Sequence, residues 1–90
     1  MGPQRLLPDS YEDLAAELGP ATAAFDALFQ EAIRYFDSLL GQDAKSTPAL
    51  EKSYVDRFAA LLAAEGFLQP KNIREALIKL SYGYYMKTRS

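Results

Sequence analysis

Residues 21–40 read ATAAFDALFQEAIRYFDSLL, and the fold follows from how this stretch is read. Phe25, Phe29, Ala32, Phe36 and Leu39 recur at 4-3-4-3 spacing, the period of an α-helix with one buried face. Leu28, Ile33, Tyr35 and Leu40 widen that stripe. Asp26, Gln30, Arg34, Asp37 and Ser38 fall on the other side, with Glu31 beside them. A stripe carrying three phenylalanines is expected at the centre of a core, because full burial of each ring contributes about 1.5–3 kcal/mol. Gly41 is expected to end this helix.

Glycine and proline punctuate the chain on either side. Upstream, residues 1–9 hold two prolines and no period, and are expected to form a flexible arm. Ser10 then stands as an N-cap, with Glu12 and Asp13 in the first turn, where the helix dipole favours acids. Tyr11, Leu14, Ala15 and Leu18 give a short first helix one apolar stripe, and Gly19 and Pro20 close it. Downstream, Thr47 and Pro48 open a third helix that is expected to continue to Glu65. Its stripe is Leu50, Tyr54, Phe58, Leu61 and Leu62, with Val55 at the margin. Gly66 stops it, and Phe67 and Leu68 follow where a Schellman motif folds an apolar residue back.

The fourth helix is expected over Asn72 to Arg89, NIREALIKLSYGYYMKTR. Asn72 is its cap, and Glu75 three residues on resembles a capping box. Gly83 interrupts it, either as a point of close helix contact or as a place where the helix frays. Two stripes run along this helix. Ile73, Leu77, Leu80 and Tyr84 step at 4-3-4, enough for burial against its own domain. Arg74, Ile78, Tyr82, Tyr85 and Arg89 step at 4-4-3-4, roughly opposite, and mix apolar or aromatic residues with cations. A monomer has no structural need for that second stripe, so these five residues are the candidate partner-binding surface. The rival reading is that Leu6 and Leu7 of the arm fold over it.

The fold class expected is therefore all-α: one domain over residues 10–88, a bundle of a short helix and three long ones. Short loops favour mostly antiparallel neighbours. Ninety residues make one domain, and strand alternation bounded by hairpin signals is absent.

Composition removes whole classes of chemistry. With no Cys there is neither a disulfide framework nor thiolate chemistry. With no His, the commonest general base and every Ser-His or Cys-His arrangement are gone. Asp9, Asp13 and Glu17, with Glu12 beside them, read as a solvated acidic face rather than a cation site. Neither an EF-hand loop, a phosphate loop nor zinc spacing occurs. No apolar run reaches the length of a membrane span. The start, MGPQRLLPDS, has neither the apolar core of a signal peptide nor the sixth-position Ser or Thr of the myristoylation pattern. A cytoplasmic, non-enzymatic protein that needs no metal or cofactor is the expectation.

Charge is uneven along the chain. Up to Gly66 there are eleven acids and five cations, a net of −6; from Phe67 onward there are one acid and five cations, a net of +4. A basic helix on an acidic body suits a docking module, meaning a small subunit, adaptor or regulator whose partner is another protein or a second copy. The alternative is a nucleic-acid-binding helix-turn-helix with Asn72, Arg74 and Lys79 outward. Its turn would be longer than the usual three to four residues, on an acidic body.

Overall fold

The computed structural model describes residues 5–42 and 48–89. Helices α1 (Tyr11–Leu18), α2 (Thr22–Gln42), α3 (Pro48–Ala64) and α4 (Ile73–Arg89) follow one another, with a 3-10 turn over Gly19–Ala21 between the first two. Among the described residues there is no strand, and the molecule is all-α and compact. Its extents are 46 × 31 × 18 Å. A body this flat is about two helices deep in its thin direction. Each helix therefore keeps a flank that its neighbours do not cover.

Local hydrogen bonds set the ends of the helices. Ser10 Oγ accepts from the Asp13 N–H at 3.2 Å, and Asn72 Oδ1 accepts from the Glu75 N–H at 3.1 Å. The Asn72 side-chain amide also donates to the Glu75 carboxylate. After α3, Gly66 sits at φ 79°, in the region where a side chain would clash. The Gly66 N–H meets the Ala63 carbonyl at 3.1 Å, and the Phe67 N–H meets that of Leu62 at 2.9 Å. Together these bonds make the Schellman motif, and they deliver Phe67 into the core. The helix expected to stop at Gly41 runs through it to Gln42. The Thr47 cap lies outside the described residues, as do the side chains of Leu39, Leu40 and Leu50.

Packing is aromatic and centred on the first half of α2. Phe25, Phe29, Phe58 and Phe67 are fully buried, with Leu14, Leu28, Leu62, Leu77 and Leu80 around them. Phe25 and Phe29 both touch Phe58, with ring centroids 6.3 and 6.0 Å apart. Phe36 departs from expectation. It is only half-buried and stacks beside Tyr35 rather than joining this cluster. The core is deepest where α1, α3 and α4 all reach α2, and Phe36 lies beyond that point.

Ring contacts give the directions of the helices. Phe25 meets Phe58, and Tyr35 meets Tyr54, so α2 and α3 run oppositely. Tyr84 meets Phe29, in the first half of α2, whereas Arg74 pairs with Glu51 in the first turn of α3, one turn from the Tyr54 that meets Tyr35, so α2 and α4 also run oppositely. It follows that α3 and α4 run in the same direction, with their first turns joined by the ion pair between Glu51 and Arg74. A short link was expected to make these two neighbours antiparallel. Instead the connection runs back along α3, where Gln69 Nε2 donates to the Ala59 carbonyl at 3.1 Å.

Of the expected arm, residues 5–9 are described. The Arg5 N–H donates to the Gly66 carbonyl at 2.9 Å, and the Arg5 carbonyl accepts from the Leu68 N–H at 2.8 Å. The Arg5 guanidinium lies 4.3 Å over the Phe67 ring. The segment is thus held against the α3–α4 connection. Leu7 packs on the core and Leu6 is 75% exposed.

Gly83 resolves as a point of contact. A Cβ built there would come within 2.9 Å of Tyr11 Cβ, so α1 crosses α4 where α4 has no side chain.

Candidate interaction groove

The two stripes of α4 have different fates. Leu77 and Leu80 are buried, and Ile73 and Tyr84 pack against the core. The second stripe turns out to be flanking rather than opposite. At about 100° per residue the two stripes are centred about 130° apart, which brings the second one round beside α2. All five candidate residues, Arg74, Ile78, Tyr82, Tyr85 and Arg89, line one groove of about 720 Å³. Met86 and Ser81 complete the α4 wall, and Ile33, Phe36 and Asp37 form the α2 wall. A second hollow of about 440 Å³ continues it past Ile33, Tyr85 and Arg89 and adds Arg34.

The groove is largely apolar, and its rim is exposed in the single chain. Ile78 is 38% exposed, Tyr82 63% and Met86 52%, while Tyr85 is half-buried. Leu6 and Leu7 do not line it. Ser81 is a buried polar residue at its floor, 3% exposed, and its hydroxyl finds no hydrogen-bond partner among the described residues.

The charges around the groove differ in how they are held. Arg74 is paired with Glu51. Arg89 bonds the Tyr85 hydroxyl and lies 5.0 Å over that ring, a contact that leaves its positive charge uncancelled. Arg34 is exposed and makes no ion pair with a described residue. Lys79, farther round α4, approaches Asp9 at 3.9 Å. The basic helix is therefore partly neutralised by the acidic body, and the uncancelled charge gathers at the Arg34–Arg89 end.

Sequence reasoning missed Met86, Ser81, Ile33, Phe36 and Asp37. A signal for Met86 was present, since Ile78, Tyr82 and Met86 step at 4-4 along one edge. Ile33 and Phe36 were assigned to the core because α2 carries a wider apolar arc than one neighbour can cover.

Among the described residues, no group of three or more acids is placed to hold a metal ion. None of their helices is long and apolar enough to cross a membrane. Tyr11, buried under α4, donates its hydroxyl to Asp26 at 2.7 Å. Burial foremost, and then the Asp26 carboxylate, push its pKa well above the ordinary tyrosine value. The bond ties α1 to α2. Comparison with known protein families, with curated proteins and with solved structures finds no match to this chain.

Proposed function

We propose that this chain is a non-enzymatic protein-interaction module, a small cytoplasmic subunit, adaptor or regulator that docks a partner in the α2–α4 groove. Its body is read as a four-helix bundle in which the two-turn α1 caps three long, mostly antiparallel helices. One observation carries the docking role: five residues singled out as surplus to folding line a single groove, whose rim leaves Tyr82 and Met86 half or more exposed. Tyrosine, methionine and arginine are enriched at interface cores, where large side chains fill desolvated pockets. Arg74, Ile78, Tyr82, Tyr85 and Arg89 are the contact residues in this reading.

The nucleic-acid alternative has less support. Asn72 is occupied as a helix cap, Arg74 by Glu51, and Lys79 lies near Asp9. The parallel course of α3 and α4 also differs from the tight-turned pair of a helix-turn-helix.

The test is a pull-down with the wild-type chain and the Tyr82→Ala/Tyr85→Ala double variant, with bound protein and nucleic acid both identified. A protein retained at high salt by the wild type and lost by a folded double variant supports the reading. Nucleic acid that leaves steeply with added salt supports the alternative.

A further inference from the structure

We infer that the occupant of the groove is an amphipathic α-helix of a partner protein carrying acidic residues at one end, which lies over Arg34 and Arg89. The inference rests on the docking role proposed above and adds the partner's chemistry.

Shape comes first. From Arg74 to Arg89 the α4 wall rises about 22 Å, the length of a helix of about fifteen residues. The rim residues Tyr82 and Met86 face outward at 63% and 52% exposure. A thin ligand lying on the floor would leave them in water. A rod about 10 Å wide, which is the breadth of a helix, would cover both. This is the helix-in-groove mode, read by apolar anchors at i, i+4 and i+7.

Charge comes second. Arg34 and Arg89 line the same hollow at one end, and neither meets a carboxylate of a described residue. At the other end Arg74 is already paired with Glu51, and Asp37 stands on the wall. The groove therefore has a single cationic end. A helix favours acids in its own first turn. An occupant that runs antiparallel to α4 brings that turn to Arg34 and Arg89, and sets its positive N-terminus against the negative C-terminal end of α4.

A second copy fits that cationic end less well, because the first turn of its own α4 carries one acid, Glu75, beside Arg74, and Glu75 already bonds Asn72.

The probe is a phage-displayed library of sixteen-residue helical peptides. Its apolar anchors are fixed at i, i+4, i+7 and i+11, and every other position is randomised. It is selected on the full wild-type chain and on two variants, Tyr82→Ala and Arg34→Glu/Arg89→Glu. Circular dichroism and melting curves first establish that each variant is folded. The expected result on the wild type is enrichment of Asp and Glu in the first turn. Those peptides should bind the charge-reversed variant at least about tenfold more weakly, and selection on that variant should switch to Lys and Arg. Peptides lost on Tyr82→Ala but showing no charge preference would overturn the acidic-end inference and leave the docking role standing. Failure to enrich peptides, or peptides indifferent to Tyr82→Ala, would overturn both. A wild-type dimer in sedimentation equilibrium that Tyr82→Ala converts to monomer would make a second copy the occupant and overturn the inference.

Discussion

Gly83→Ala sets two effects of known size against each other. In an exposed helix interior, alanine in place of glycine gains about 0.8–1 kcal/mol. In this structure the new methyl would stand 2.9 Å from Tyr11 Cβ and 3.6 Å from the Tyr11 backbone nitrogen. Carbon atoms pack best at about 3.5–4.0 Å, so a gap of roughly half an ångström or more must open. No rotamer of Tyr11 relieves the contact, because its Cβ is fixed to the backbone. The whole of α1 has to move.

That movement would disturb several contacts at once. The Tyr11 hydroxyl sits 2.7 Å from Asp26. Its ring meets Phe29 and Tyr84 edge-on, with centroids 6.1 and 5.6 Å apart. Leu14, on the next turn, is fully buried. Overpacking of this kind costs about 1–3 kcal/mol. After the propensity gain is subtracted, the net should be a loss of about 1 kcal/mol. For a domain of this size that lowers Tm by about 4–8 °C. Paired thermal and urea melts measure it, with the urea slope unchanged as a check that the unfolded state is the same. A rise in Tm of similar size would refute the reasoning. It would mean that α4 frays at Gly83 in solution and that α1 does not rest there.

Three other substitutions probe the rest of the molecule. Phe29→Ala removes a fully buried ring and should cost about 3–5 kcal/mol, whereas Phe36→Ala, on the groove wall, should cost about 1 kcal/mol in urea melts; equal losses would move the centre of the core along α2. Ser81→Ala deletes a buried hydroxyl that has no partner among the described residues, so it should be neutral or stabilise by up to about 1 kcal/mol, and a loss of that size would show that the hydroxyl is hydrogen-bonded. Tyr11 tests pH dependence. Its pKa is raised in the folded state, so its contribution is intact below the unfolded value of about 10 and is lost as pH rises above it. Urea melts at pH 8 and at about pH 11 should therefore show a larger alkaline loss for wild type than for Tyr11→Phe; equal losses would refute the shift.

Features carried by neighbouring residues could be read from the sequence, and features that depend on a distant partner could not. The caps at Ser10 and Asn72 and the Gly66–Phe67 stop are set by hydrogen bonds spanning a few residues, and they stand where the sequence puts them. The buried stripes of α1, α3 and α4 likewise follow from a local period. Phe36 shows the limit. Periodicity gives the direction of a side chain around a helix, but not how far along that helix its neighbours extend. Arg5 bonding to Gly66, Glu51 pairing with Arg74 and the return of residues 67–71 along α3 all join segments that no local pattern relates. The candidate surface lies between these cases. Its five residues were legible as a stripe, and its concavity was not. A stripe directly opposite the core stripe would make a convex ridge. A stripe about 130° away shares a valley with whatever packs alongside. Here the neighbour is α2, presenting Ile33 and Phe36, and those two side chains turn a row of candidate residues into one wall of a groove.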